Sequence, residues 1–567
     1  MGSFEELYTE EGLEIKGVPW DSYPRPLLKR DSFLCLNGKW EFGVKSNGEI
    51  AWLDSITVPF APETLLSGIG IDLSEERYDS FVYKRCFSLP EGFNKGRVIL
   101  HFGAVSNYSE IALNGKTIGL HRGAYDNFEL DITDGLSETN TLEVYAKNIL
   151  NDNLLPYGKQ SRKRGGMWYT PTSGIWQTVW VESVPEEHIT SLRVASEGNR
   201  VTVEAKGIDK AAVTVKTDKG DMNYEMAGGR CVFDLENARL WSPESPYLYY
   251  YTVDSGKDKA ESYFALRTLE IKDVDGYQRL CLNGKPYFFH GLLDQGYWSD
   301  GGLTPPSPEA YEKDIKAMKS LGFNMLRKHI KLEPAEFYYA CDRLGMAVFQ
   351  DMVNNGDYSF FRDTALPTVG LRNLDDRRLH KNQATRDIFA DSMKKTVEML
   401  SGYPCICCWT IFNEGWGQFS GSEMYKRLKE LDGTRFIDTA SGWFSKVDSD
   451  VDSRHIYFKS VKLKAGKKPL VLSEFGGYSY RVKGHIFNPD NEYGYGKFKT
   501  REEFSKAFCR LYREEIIPLA KKGLCASVYT QVSDVEDETN GLFTYDRRVL
   551  KIRAEEFLPI SEELKRI

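Results

Sequence analysis

Between residues 286 and 531 of this 567-residue chain, short apolar runs recur eight times, with helical patterns between them. The runs are PYFFHGLL (286–293), FNMLRKH (323–329), MAVFQDM (346–352), ICCWTIFNE (406–414), RFIDTASG (435–442), RHIYF (454–458), LVLSEFG (470–476) and CASVYTQ (525–531). Between the first two lies SPEAYEKDIKAMKSLG, where Ser307 can cap a helix, Pro308 suits its first turn and Gly322 stops it. Between the last two, TREEFSKAFCRLYREEIIPLAKKG is amphipathic, with basic residues at the end where the helix dipole favours them. Eight strand–helix alternations in about 300 residues specify a TIM (β/α)8 barrel, here expected over 271–567.

The chain is too long for one core, since domains average roughly 100–200 residues. Residues 1–183 read as β: FVYKRCFSL, RVILHFG, SEIALNGKTIGLH, TLEVYAKN and IWQTVWVES alternate with turn signals. Asn114-Gly115, between Ile111–Leu113 and Thr117–Leu120, suits a type I′ hairpin turn. Many short strands without helical period predict a jelly roll. Residues 184–270 continue as β (RVTVEAKG, AAVTVKTD, LYYYTVD) over a length that fits one immunoglobulin-like sandwich. The whole is a multidomain β plus α/β chain.

Net charge is −8 and no segment is strongly basic, which argues against a nucleic-acid partner. The acidic start MGSFEELYTEEGLEIKG lacks the apolar core of a signal peptide. No apolar run reaches the ~18–20 residues of a membrane span. Of ten cysteines, Cys405, Cys407, Cys408 and Cys525 sit in apolar strand-like runs, as buried thiols do, so a reducing cytoplasm is expected. Cys405-x-Cys407-Cys408 has no second ligand pair, and neither metal nor cofactor is expected.

Barrel active sites lie at the C-terminal ends of the strands. The polar residues there are Asp294 with Gln295, Arg327 with His329, Asp351, Asn413 with Glu414, Ser441, His455 with Tyr457, Glu474, and Gln531 with Asp534. Strands four and seven end in carboxylates, and they lie across the barrel mouth from one another. Glu414 and Glu474 could therefore flank a glycosidic bond, about 5–5.5 Å apart if the mechanism retains configuration. Trp416 and Trp443 could form a stacking floor or pack their loops; His329 and His455 could touch a sugar or be structural. Asp294, Asp351 and Gln531 also face the expected mouth. The irregular stretches 353–382 and 477–499 should line the same face. Arg162-Lys163-Arg164 reads as a solvated loop, or as a basic rim to the pocket.

Trp409-Thr-Ile-Phe-Asn413-Glu414-Gly415-Trp416 resembles the strand-4 signature of glycoside hydrolase family 2. Ser173-Gly174-Ile175-Trp176 with Val179-Trp180 is similar to the end of that family's sugar-binding domain, and Leu240-Trp241-Ser242-Pro243 with Pro246-Tyr247-Leu248-Tyr249 to the end of its immunoglobulin-like domain. Asn283-Gly284-Lys285-Pro286 then His290-Gly291 resembles the barrel entry, and Leu321-Gly322-Phe323-Asn324 with Arg327 the strand-2 region. The motifs follow the family's order over nearly the whole chain.

The resemblance implies a retaining exo-β-glycosidase acting on an oligosaccharide or glycoside. Glu414 matches the general acid/base, Glu474 the nucleophile, and Asn413 the residue that binds the sugar 2-hydroxyl. Tyr457 matches the tyrosine that hydrogen-bonds the nucleophile, and Arg327 the arginine beneath it. A β-galactosidase-like activity is expected, with a β-glucosidase or a uronic-acid-specific enzyme (β-glucuronidase or β-galacturonidase) as alternatives. The Asn-x-Lys motif of the glucuronidase members is absent: the region reads Thr539-Asn540-Gly541-Leu542. The acidic residue that precedes Met-Trp in well-known galactosidases is replaced by Gly165-Gly166. A catalytically inactive carbohydrate-binding protein on the same scaffold is the reading from a different class. The family's frequent dimers and tetramers leave a homo-oligomer open.

Overall fold

The structure, a computed structural model, describes residues 4–71, 79–149, 153–368, 375–457 and 459–567. Phe458 of the sixth apolar run and residues 369–374 of the 353–382 stretch lie outside the described residues.

The first domain is a β-sandwich. One six-stranded sheet runs in the order Glu49–Val58, Gly38–Ser46, Ser80–Phe87, Asn140–Lys147, Tyr108–Leu113, Lys116–Arg122. It faces a four-stranded sheet of Leu34–Cys35, Val179–Val184, Arg97–Phe102 and Phe128–Asp131. Alternate residues from both sheets, among them Trp40, Phe42, Tyr83, Leu100, Leu142 and Val181, close a common core. The Asn114-Gly115 turn forms as expected: both residues have positive φ (52° and 77°), and Leu113 pairs with Lys116.

The second domain packs the sheet Ser191–Glu197, Arg200–Lys206, Arg230–Asp234 on the sheet Gly220–Met226, Ala211–Thr217, Tyr249–Asp254, Lys259–Phe264. Its core draws on alternate residues of the central strands, as in Val201/Val203 and Val213/Val215. A small sheet over Leu269–Val274, Tyr277–Leu282 and Lys285–Pro286 leads into the barrel.

All eight apolar runs become parallel barrel strands: β1 (Phe289–Asp294), β2 (Met325–Lys328), β3 (Ala347–Asp351), β4 (Ile406–Asn413), β5 (Phe436–Ser441), β6 (Asp452–Ile456), β7 (Leu470–Gly476) and β8 (Leu524–Thr530). The ladder runs β5-β4-β3-β2-β1-β8-β7-β6. The β5/β6 seam is bridged by side chains, Ser441 Oγ lying 3.3 Å from Ser453 Oγ and 2.9 Å from His455 Nε2. Helices follow β1 (Pro308–Ser320), β2 (Ala335–Leu344), β3 (Gln383–Leu400), β4 (Gly421–Leu431), β7 (Arg501–Leu511) and β8 (Ala554–Leu564). The expected alternation is incomplete: among the described residues, the β5–β6 and β6–β7 connections carry no helix. Pro308 does open the first helix, but the Ser307 side chain makes no capping bond. Thr500 and Glu503 form a reciprocal capping box on Arg501–Leu511.

Candidate active site

β4 and β7 deliver the two carboxylates. At the end of β4 the backbone of Glu414 turns left-handed (φ 49°) while its N–H still donates to Ser441 O of β5 (2.9 Å). A β-strand residue that leaves its ladder in this region stores strain, as active-site residues often do. One oxygen of Glu414, one of Glu474 and a ring nitrogen of His455 all lie within 4.8 Å of one another. So close an approach of the nearest oxygens suits a retaining pair, whose carboxyl groups stand ~5–5.5 Å apart.

Glu474 is 5% exposed. Its Oε1 accepts from Arg327 Nη1 (3.1 Å) and its Oε2 from the Tyr457 hydroxyl. Burial pushes this carboxyl up, but His455 and then Arg327 outweigh burial and hold it down at about 2. Burial beside Glu474 pushes the Tyr457 phenol well up, so it stays a donor. The nucleophile candidate is thus ionised and fixed through both oxygens.

Arg327 organises the floor. Burial opposes its charge, yet Asp351 and Glu474 hold it protonated. The guanidinium grips Asp351 in a two-pronged pair (Nε–Oδ1 3.0 Å, Nη2–Oδ2 3.0 Å) and also donates to Ser473 O (3.0 Å) and Asn413 Oδ1 (2.9 Å). The last bond turns the Asn413 carbonyl to the arginine and its NH2 group away from it. Asp351 Oδ2 also meets His329 Nδ1 (2.7 Å).

His455 stands between the carboxylates. Its Nδ1 is 2.8 Å from Glu414 Oε1 and 3.6 Å from Glu474 Oε2, and its Nε2 meets Ser441 Oγ (2.9 Å). A Cβ at Gly442 (φ 87°) would lie 2.6 Å from His455 Nδ1, so the ring fits only against glycine. Trp443 packs obliquely on this ring, centroids 5.9 Å apart. Trp416 stacks on Trp168 of the first domain (5.3 Å, 18°) and meets Tyr358 edge-on (5.4 Å).

Of the residues predicted from sequence, Glu414, Glu474, Asn413, Tyr457, Arg327, His329, Asp351 and His455 form one contact network. Two sit elsewhere. In the β1–β2 register Leu293 stands opposite Arg327 and Asp294 opposite Lys328. Successive strand residues face opposite sides, so Arg327 points inward and Asp294 outward, where it accepts from Lys328 Nζ (2.6 Å) in a buried network with Glu333. Gln531 is fully buried, and its amide NH2 donates to Glu538 Oε2 (2.8 Å) and Asn540 Oδ1 (2.7 Å).

Sequence reasoning missed two contributors and one role. Tyr495, from the 477–499 loop, stacks on Tyr457 at 4.3 Å. Lys159 of the first domain approaches Trp416 and Glu538. His455 was expected to touch a sugar or to be structural, and its contact with Glu414 was not foreseen. Only the aromatic richness of the 477–499 loop signalled any of these. The cysteines are unpaired; Cys407 and Cys408 of β4 and Cys405 just before it are buried, with Cys405 Sγ donating to Tyr338 O (3.6 Å).

Three family models match the chain in order: Glycosyl hydrolase 2 galactose-binding domain-like (63–174), Glycosyl hydrolases family 2 (185–267) and Glycosyl hydrolases family 2, TIM barrel domain (270–549). A beta-galactosidase of Thermoanaerobacter pseudethanolicus is 23% identical over 62% of this chain and 46% of its own length. A beta-glucuronidase of Streptococcus agalactiae is 22% identical over 72% of each chain. The chain spans about half the length of several curated relatives it matches. Among solved structures, an uncultured Clostridium sp. beta-glucuronidase has the same fold (TM-score 0.74, 20% identity, 95% of this chain and 99% of that one). So does a GH2 beta-galacturonidase from Eisenbergiella tayi bound to galacturonate (TM-score 0.67, 19% identity, 95% and 98%).

Proposed function

This chain belongs to glycoside hydrolase family 2, and on that premise we propose that it is a retaining exo-β-glycosidase that removes a terminal β-linked sugar, with a β-galactoside as the first expected substrate. The observation that carries the reading is the approach of Glu414 and Glu474 oxygens to within 4.8 Å across the barrel mouth.

The ionised Glu474 attacks the anomeric carbon while Glu414 gives its proton to the departing glycosidic oxygen. The C–O bond to the aglycone breaks as the C–O bond to Glu474 forms. Glu414, now a carboxylate, takes a proton from water, whose oxygen displaces Glu474 and restores both groups. Asn413, oriented by Arg327, is the donor for the 2-hydroxyl, a contact that strengthens in the transition state. A non-catalytic lectin has no use for a nucleophile held ionised by an arginine and a tyrosine.

A 2-deoxy-2-fluoro-β-glycosyl fluoride slows the second step and leaves the sugar on the nucleophile. Peptide mass spectrometry should find the label on Glu474. Label elsewhere, or none with any sugar in a panel, would overturn the assignment.

A further inference from the structure

The first-domain loop 159–170 reaches the barrel mouth and brings two cations, Lys159 and Arg164, to the loop after β8, where Glu536, Asp537 and Glu538 are consecutive. Arg164 is paired twice: Nε donates to Glu536 (2.6 Å) and Nη2 to Asp537 (2.6 Å). The N–H groups of Thr170 and Gly166 donate to the same two acids (2.8 and 3.3 Å). The basic loop therefore does reach the barrel, but its arginine serves the domain junction.

Lys159 is placed differently. Its Nζ stands 3.8 Å from Glu538 Oε1, beyond a direct hydrogen bond, and 5.8 Å from the centroid of Trp416. Lys159 and Glu538 are 7% and 3% exposed, comparable with Glu474 at 5%. Contacts trace a ring through this pair. Glu474 accepts from Tyr457, and Tyr457 meets Thr530 Oγ1 (3.0 Å). Gln531, the next residue, donates to Glu538; Lys159 faces Glu538 and lies over Trp416, two residues from Glu414.

We propose that Lys159 and Glu538, one from each of two domains, form a charge-paired sugar clamp that selects an uncharged hexoside and rejects a uronide. The proposal rests on the glycosidase reading above and names its substrate class. A hydroxyl both accepts and donates, so one sugar hydroxyl can take a hydrogen bond from the ammonium and give one to the carboxylate. A uronate carboxylate only accepts; whatever it gains from Lys159 it loses to the like charge of Glu538 in a desolvated pocket. The neighbouring cations are matched as well. Arg327 is held by Asp351 and Glu474, and Lys328 and Lys331 by Asp294 and Glu333. Burial pushes the Glu538 carboxyl up, and the Lys159 ammonium opposes that rise.

The test compares kcat/KM of the full chain on p-nitrophenyl β-D-galactoside and β-D-glucoside with that on the two corresponding uronides. The wild type should favour a neutral glycoside by about 100-fold or more, the scale available when a site is built against one chemical group. Glu538→Gln should shrink that preference about tenfold by raising uronide turnover, and Lys159→Met should lower kcat/KM on the neutral substrate about tenfold, largely through KM. Competition on the wild type alone, an aldonolactone against an aldarolactone, should give tighter inhibition by the uncharged lactone and does not depend on a variant folding. A wild type that prefers uronides, tighter aldarolactone binding, or an unchanged ratio in folded Glu538→Gln overturns the clamp while leaving the glycosidase reading intact. No turnover of any of the four, with Glu474 unlabelled by fluorosugars, removes that reading and the clamp with it.

Discussion

His455 Nδ1 and Glu414 Oε1 stand 2.8 Å apart, and the same nitrogen is 3.6 Å from Glu474 Oε2. One imidazole edge therefore touches the proton donor and nearly touches the nucleophile. Its other nitrogen rests on Ser441, within a buried hydroxyl cluster that joins Ser441 to Ser473 (2.9 Å) and Ser473 to Ser453 (2.6 Å). The ring therefore fixes the position of the Glu414 carboxyl beside the nucleophile.

His455→Gln should consequently act on the protonation step. We expect kcat to fall about 100-fold on alkyl or disaccharide substrates and far less on activated aryl glycosides, with an altered pH profile. Steady-state kinetics across leaving groups of graded acidity read this directly. A uniform loss at every leaving group would mean that the ring only supports the pocket.

The carboxylates should separate by small-nucleophile rescue. Glu474→Ala removes the group on the α face, so azide should enter there and give an α-glycosyl azide. Glu414→Ala leaves the covalent step intact for activated substrates, so azide should attack the glycosyl-enzyme and give the β-glycosyl azide. Each variant should lose on the order of 1000-fold or more with poor leaving groups. Nuclear magnetic resonance of the two azides checks the assignment, and exchanged products would reverse the roles.

The low position of Glu474 has a pH consequence. Its folded value, about 2, lies below the ordinary glutamate value, so ionisation favours the folded state. That contribution is complete above the unfolded value near ~4.3 and is lost as pH falls toward about 2. With an activated aryl substrate, the acid limb of kcat/KM should therefore not reflect Glu474 between pH 4 and 5. Arg327→Lys weakens the hold on the carboxylate and should move that limb to higher pH. A limb that stays in place would show that Arg327 does not set the nucleophile's charge.

Most of the barrel and both carboxylates were legible in the sequence, for one physical reason. A strand buried in a closed barrel must be apolar throughout, so Asn413-Glu414 and Glu474 stand out against Ile406–Phe412 and Leu470–Leu472. Asp294 misled because a strand-end acid can face either side, and only its register with Lys328 decides which. Lys159 and the three acids 536–538 were illegible because their pairing joins segments more than 370 residues apart, and no periodicity reports such a contact.

That junction makes its own prediction. Arg164 is largely buried against Glu536 and Asp537, and its removal would strand two acids. Arg164→Ala should cost about 2–3 kcal/mol, less than a wholly buried pair because the arginine keeps some solvent contact. Scanning calorimetry should show a lower Tm, partly restored in Arg164→Ala/Asp537→Asn, since the second change removes one stranded charge. Additive losses in the double variant would argue against the pairing.

The account depends on two carboxyl groups close enough to act from opposite faces of one anomeric carbon. The most direct check is proton nuclear magnetic resonance of the first sugar released from a β-glycoside, recorded before mutarotation. The geometry predicts that the β-anomer appears first and the α-anomer only later; an α-anomer formed first would contradict it.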